Sequence, residues 1–438
     1  MNSKGLTIAT IVLAALLGLL YWSNRHKPAD TTGTIATPSP AEPAPVILTL
    51  NEADINKIEL KKKGADQIVV TRDSNGKWQI TAPKSMGVDE SVVTGILSSL
   101  SSLNSERLVE EKAANPARYG LAEPAVEVTV TDKNNTAHKL LLGDDTPTGS
   151  GSYAQLAGDA RVFTIASFTK GSLDKGLNDL RDKRLITADT DKVTRIELIG
   201  KQSIEFSRDK EQWQILKPKP LRADGVKVEE LLRKITEARM ETTDADAAKA
   251  TSGFAAGSTV ATAKLTTDTG TQQIEVKKDK DNYYAKSSVA DGVYKVPSDL
   301  GEALDKKLSD FRNKKVFDFG FNDPSKLEIQ DGSKTYSLSK KGEDWTSAEG
   351  KKFDKTTVQP LVERLGDLSA TDFADSGFGS SALQITVTSS DGKHVEKVAL
   401  GKGSKNTLAR REGESSFYVL DEKTLDDIEK LVSNLKSS

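Results

Sequence analysis

Polar and apolar residues alternate along this chain in a pattern that returns three times. Lys57-Ile58-Glu59-Leu60, Arg195-Ile196-Glu197-Leu198 and Lys326-Leu327-Glu328-Ile329 each alternate with a period of two, the signature of a half-buried strand. A second alternating segment follows each: Val70-Thr71-Arg72-Asp73, Phe206-Ser207-Arg208-Asp209 and Leu338-Ser339-Lys340-Lys341. A polar turn and a tryptophan come next. In the first copy the turn is Asn75-Gly76, which suits a two-residue hairpin. Trp78, Trp213 and Trp345 lie 135 and 132 residues apart, and three landmarks at one period indicate an internal repeat. Each tryptophan recurs at a strand start, which assigns it to a core rather than to a ligand-stacking surface.

The period then changes from two to that of a helix. Asp89, Asp224 and Asp354 each precede an apolar stripe at offsets +7, +8, +11 and +14. The first stripe is Ile96, Leu97, Leu100 and Leu103, the second Leu231, Leu232, Ile235 and Ala238, the third Leu361, Val362, Leu365 and Leu368. These offsets share one helical face, and an aspartate at the start caps free N–H groups and complements the helix dipole.

Each second half opens on glycine plus an apolar residue: Gly120-Leu121, Gly253-Phe254 and Gly377-Phe378. Alternating strands follow, such as Val126, Val128 and Val130, with return strands Leu140–Leu142, Ile274–Val276 and Val398–Leu400. A further strand carries Val162-Phe163, Val293-Tyr294 or Phe417-Tyr418. A closing helix contains Leu177 and Leu180, Leu308 and Phe311, or Ile428, Leu431 and Leu435. The pattern predicts an α+β fold of three tandem repeats, each a mostly antiparallel sheet with two helices. The expected boundaries are 46–184, 185–315 and 316–438.

Ahead of the repeats, within residues 1–27, the run from Leu6 to Trp22 carries no charge. As a helix it spans roughly 26 Å, enough at the short end to cross a bilayer. No small-x-small cleavage site follows it, so an uncleaved transmembrane anchor is expected rather than a signal peptide. Lys4 and the α-amino group before it nearly balance Arg25 and Lys27 after it, so charge does not fix orientation. Residues 28–45 hold Pro28, Pro38, Pro40, Pro43 and Pro45, an extended linker reaching roughly 55 Å when stretched. These features predict a single-pass inner-membrane protein, anchored in lipid through Leu6 to Trp22, with its body in the periplasm or outside.

Lysine and arginine number 62 against 64 acids, so no basic surplus points to nucleic acid. The chain has no cysteine, which removes thiolate chemistry and disulfides. Its histidines are His26, His138 and His394, at inequivalent positions that suit neither a triad nor a metal site. Gly149-Ser150-Gly151-Ser152 and Gly401-Lys402-Gly403-Ser404-Lys405 fit no phosphate-binding motif and read as hairpin loops. Asp279-Lys280-Asp281-Asn282 and Asp189-Thr190-Asp191 lack the glycine and distal glutamate of a calcium loop and read as turns. No catalytic, cofactor or metal residue is therefore assigned. One cluster stands out: Arg181, Lys183 and Arg184 end the first repeat and Arg312, Lys314 and Lys315 end the second, while the third ends without one. Occurring only where another repeat follows, the cluster suggests an inter-unit junction bonded to the next repeat's first strand; an anionic-ligand or lipid-headgroup site is the alternative.

Together the leader Leu6–Trp22, Ile58-Glu59-Leu60, Trp78-Gln79-Ile80, Tyr119-Gly120-Leu121, Leu142-Gly143 and Leu180-Arg181-Asp182-Lys183-Arg184 resemble the domain-of-unknown-function 4340 family. The resemblance covers most of the chain after the linker. It implies a non-enzymatic, single-span envelope protein that accompanies a membrane transporter of the ABC-export or gliding-motility kind, and it brings no catalytic residues. Lys277 departs from the pattern where Gly143 and Gly401 align, and Pro83 and Pro218 have no counterpart after Trp345. The expected role is a scaffold that binds a protein partner in the membrane or envelope. The alternatives are a cell-wall glycan-binding module using exposed Tyr153, Tyr283 and Tyr284, and an envelope hydrolase with a carboxylate site.

Overall fold

The structure, a computed structural model, describes residues 45–241, 246–319 and 324–436. The expected anchor Leu6–Trp22 and the linker before Pro45 lie outside them. Among the described residues, no helix is long and apolar enough to cross a membrane. The chain divides into two compact units, Met1–Leu180 and Arg181–Ser438.

Three large sheets and helices give an α+β fold. The first sheet runs Met86–Gly87, Trp78–Ala82, Ile68–Arg72, Ile55–Lys62, Val126–Asp132, Ala137–Asp145, Gly151–Leu156, Val162–Ala166 and Arg107–Glu110. The second runs Leu221–Arg222, Gln212–Lys217, Ser203–Asp209, Arg195–Gly200, Ser258–Thr267, Gly270–Asp279, Asn282–Ser287 and Tyr294–Val296. The third runs Lys352–Phe353, Asp344–Ser347, Lys334–Lys341, Lys326–Asp331, Ser381–Thr388, Val395–Lys402, Thr407–Arg411, Phe417–Leu420 and Asp372–Ala374. Neighbouring strands pair antiparallel. The order of elements is the same in all three, except that among the described residues the second sheet shows eight strands, ending on Tyr294–Val296. Between its long helix and Ser258–Thr267 the second sheet also carries a helix, Ala247–Ala256.

The tryptophans occupy matching places. Each is buried near the start of the second strand of its sheet, 7%, 4% and 2% exposed in chain order. Each pairs across the ladder with a basic residue: Arg72 with Trp78, Arg208 with Trp213, Lys340 with Trp345. The guanidinium carbons of Arg72 and Arg208 sit 4.7 Å from the indole centroids, a cation–π contact over the ring face. The helices Glu90–Ser101, Gly225–Thr236 and Lys355–Gly366 start where expected. The side chains of Asp89, Asp224 and Asp354 accept from the backbone N–H of Ser91, Lys227 and Thr356. Their stripes are buried, but the +14 residues Leu103, Ala238 and Leu368 lie beyond the helix ends. The chain turns back there and still inserts those residues into the core.

Other expectations need correction. The first hairpin is a five-residue loop, 73–77, because the Asp73 carboxylate gathers the N–H groups of Asn75 and Lys77. The two-residue form occurs in the other sheets, at Lys210 (φ 55°) and Gly342 (φ 62°). Gly120 and Gly377 adopt left-handed backbone before their strands, whereas Gly253 is helical. The closing helices are Ser167–Leu173, Ser298–Leu304 and Thr424–Ser433; Leu177–Leu180 and Leu308–Phe311 are separate single turns. Gly151-Ser152 and Gly401-Lys402 belong to strands, not loops.

Gly143 shows why this framework needs glycine at one strand position. A Cβ there would fall on the carbonyl oxygen of Tyr119, and one on Gly401 would lie 2.5 Å from the carbonyl oxygen of Ser380. In the second sheet the preceding segment is helical, and the matching Lys277 instead lays its ammonium 4.7 Å from the Phe254 ring. Gly143→Ala is therefore expected to destabilise its sheet by about 1–3 kcal/mol. Chemical denaturation measures this, with Lys277→Ala as the comparison that leaves the backbone path intact.

Candidate functional site

The six basic residues assigned to junctions lie in the second compact unit and its linking segments. Here their partners are not those expected from the sequence. The Arg181 guanidinium donates to the Tyr294 hydroxyl at 2.9 Å and packs against that ring. The Lys183 carbonyl accepts from Met240 N–H at 2.9 Å, and Leu185 N–H donates to the Ala238 carbonyl. Arg184 is clamped by the Asp182 carboxylate through Nε and Nη2. Burial pushes Asp182 up, but the hydrogen bonds from Arg184 outweigh it and hold the carboxyl below its ordinary range. The second cluster repeats the pattern: Ala370 N–H donates to the Lys314 carbonyl at 2.8 Å and Val316 N–H to the Leu368 carbonyl at 2.9 Å. Both segments thus bond the chain just after the long helix, rather than the first strand of the sheet that follows. The reason is backbone geometry: the first strand already has both ladder partners.

Around the second segment lies a network of half-buried charged side chains gathered about the buried Tyr418. Arg222, two residues before the capping Asp224, comes from the edge strand of the second sheet. It donates to Glu414 Oε1 at 2.9 Å, to the Tyr418 hydroxyl at 2.9 Å and to the Lys315 carbonyl. Arg411 approaches the same carboxylate, donating from Nε to Glu414 Oε1 at 2.9 Å and from Nη2 to Glu396 at 2.7 Å, and it also reaches the Val316 carbonyl. Tyr418 donates its hydroxyl to Glu414 Oε2 at 2.7 Å. One carboxylate therefore receives two guanidinium groups and a phenol. Arg312 lies 3.4 Å over the Phe373 ring, which packs edge-on against Tyr418. Lys219 of the second sheet's turn reaches Asp375 at 2.6 Å.

This arrangement sets the local electrostatics. Burial pushes the Tyr418 hydroxyl up to about 12, with Glu414 adding to it and the Arg222 charge opposing it. Burial pulls on Arg222 as well, yet Tyr418, Glu414 and Asp318 together hold it above its ordinary value. Burial lowers Arg312. The phenol's folded value lies above its unfolded one, so its contribution is intact below pH about 10 and is lost as pH climbs through about 12. A loss of roughly 2–3 kcal/mol over that window is expected, and Tyr418→Phe should remove it from the difference between wild type and variant. Denaturation midpoints from pH 9 to pH 12 measure it.

Chemically, these groups tie chain segments together. The charges of Arg222, Arg411, Glu414, Lys219 and Asp375 are each committed to another group of the protein. One feature of the sequence marks this cluster. In the three repeats the residue two before the capping aspartate is Gly87, Arg222 and Lys352, an unrepeated position inside a repeated frame. The histidines stay apart: His138 is on a strand and His394, 75% exposed in its side chain, sits 3.8 Å from Asp391; His26 lies outside the described residues. Among the described residues no group of three or more His, Asp or Glu side chains is placed to hold a metal. The tyrosines assigned to glycan stacking are not available for it. Tyr283 and Tyr284 are 7% and 6% exposed, because helical Gly301 and Gly253 let the rings lie flat against the helix backbones. Tyr153 is half-buried against Tyr119, with ring centroids 4.8 Å apart.

Comparison with known proteins gives one family. The model described as "Domain of unknown function (DUF4340)" matches residues 78–257 and 213–383. No curated protein matches the chain. Among solved structures, a DNA polymerase sliding clamp from Pseudomonas aeruginosa with ligand is 9% identical, over 85% of this chain and 93% of that one, at a TM-score of 0.15. A second sliding clamp from the same organism is 9% identical over 86% and 93%, at a TM-score of 0.14. Likenesses at these scores support no statement about fold or function.

Proposed function

Since the chain belongs to the DUF4340 family, domains of unknown function, we propose that it is a non-enzymatic, membrane-anchored scaffold built from three tandem repeats. In this reading the uncharged run Leu6–Trp22 spans the inner membrane once. The proline-rich segment 28–45 holds the body off the bilayer, and the body binds a protein component of a membrane transporter of the export or gliding-motility kind.

The observation that carries it is the use made of the polar side chains. The half-buried Arg222, Glu414 and Arg411 and the buried Tyr418 fasten one part of the chain to another. Repetition of one framework along a tether supplies several weak contact surfaces whose effects combine through effective concentration. The test is affinity purification of the full chain from mild detergent, against a version lacking residues 1–27. Recovery of a defined set of membrane proteins by the full chain supports the reading. Recovery of the bait alone across several detergents sinks it.

A further inference from the structure

Each sheet packs its long helix on one face, and on the other face the first two sheets carry a smaller apolar cluster at one corner. On the first sheet Tyr119, Leu121 and Val162 form it. On the second it is Ala250, Phe254, Tyr284 and Val293. The residue after the recurrent glycine, Leu121 or Phe254, lies in both. On the third sheet the same corner is the row Gln384, Ala399, Arg410 and Phe417, paired in that order across four strands, with Phe378 above it.

What covers this corner differs. In the first sheet residues 111–125 connect Arg107–Glu110 to Val126–Asp132 and lie over it; in the second the helix Ala247–Ala256 does so. In the third only residues 375–380 connect Asp372–Ala374 to Ser381–Thr388. Tyr119, Leu121 and Phe254 are accordingly buried, while Phe378 and Phe417 are half-buried and Arg410 is exposed. An open depression of about 290 Å³ remains, lined by Gln384, Lys397, Ala399 and Arg410 and by the turn Arg411-Glu412-Gly413-Glu414, whose two carboxylates are taken by Lys397 and Arg411.

The charges there are also incomplete. Arg411 has Glu396 and Glu414, and Lys397 has Glu412 at 3.0 Å. Arg410 instead lies 5.2 Å over Phe378, which stacks on Phe417 at 5.5 Å. Among the described residues no carboxylate pairs with it. A guanidinium fixed on an aromatic pair beside a depression is a common anchor in protein interfaces.

We propose that this corner of the third sheet docks a segment of a partner protein that carries an apolar side chain beside a carboxylate. The segment lies where the helix Ala247–Ala256 lies on the second sheet. Its apolar side chain fills the depression over Ala399, and its carboxylate meets Arg410. This rests on the reading of the chain as a partner-binding scaffold, and it names the surface and the chemistry of the occupant.

The test places the photo-crosslinker benzoylphenylalanine at Gln384 of the full chain in cells, and at Thr262, which holds the matching place on the second sheet, where the helix Ala247–Ala256 already occupies the corner. An adduct is expected from position 384 and not from 262, with the crosslinked peptide carrying Asp or Glu close to an apolar residue. Arg410→Glu should cut its yield about tenfold or more, with an unchanged unfolding midpoint showing that the exposed substitution leaves the fold intact. The proposal is overturned by no adduct at 384, by equal adducts at both positions, by a peptide without acids, or by a yield insensitive to Arg410→Glu. Affinity purification in parallel separates the two readings: partners recovered without a crosslink at 384 reject this surface alone.

Discussion

Glutamine in place of Glu414 is expected to lower the stability of the second compact unit by about 3 kcal/mol. The carboxylate serves Arg222, Arg411 and the Tyr418 hydroxyl at once. The amide keeps the shape but removes the charge that compensates two guanidinium groups, whose side chains are only 24% and 14% exposed. Arg411 retains Glu396 and Arg222 retains Asp318 at 3.6 Å, which limits the cost to the low end for a broken buried pair. Arg222→Gly, which installs the residue of the first repeat, should cost less, because it leaves Glu414 with Arg411 and the phenol. The double variant should then lose less than the sum, since the two substitutions remove one shared interaction. Strict additivity in urea denaturation would show that Arg222 and Glu414 do not act through each other.

Alanine at Trp213 should cost about 3–5 kcal/mol, the range for deleting a large aromatic from a core. The indole is 4% exposed, stacks with Arg208 and donates from Nε1 to Glu229 Oε1 at 2.5 Å. Its loss leaves a cavity beneath the long helix and removes a donor from Glu229. Trp78→Ala and Trp345→Ala should fall in the same range, because each ring is buried at the same place in its sheet. Calorimetry on the three single variants checks this. A tryptophan whose removal costs under about 1 kcal/mol would not belong to the shared core.

Much of the fold was legible because hydrophobic periodicity survives wherever a single face is buried. Asp89, Asp224 and Asp354 were read as caps, and all three cap. The Gly-apolar pairs were visible but their job was not, since the backs of the sheets are covered in three different ways: an irregular loop, a helix and almost nothing. Tyr283 and Tyr284 misled because adjacent tyrosines on a polar strand look exposed. Only the small residues of two distant helices, Gly301 and Gly253, reveal that both rings are covered. The junction cluster is legible in part. Its arginines and lysines were found from their position between repeats, but their backbone carbonyls do as much bonding as their charges. Arg222 lies 192 and 196 residues from its partners Glu414 and Tyr418, so its unrepeated position hints at a special role but no local pattern pairs it with them.

Hydrogen exchange of the full chain tests most directly whether one framework is used three times. The slowest amides should fall at the same three places: Ile55–Lys62 with Val126–Asp132, Arg195–Gly200 with Ser258–Thr267, and Lys326–Asp331 with Ser381–Thr388. The strands bearing Trp78, Trp213 and Trp345 should follow next in each sheet. A sheet whose central pair exchanges freely, or whose protection peaks on an edge strand while the others peak at the centre, would contradict a common core.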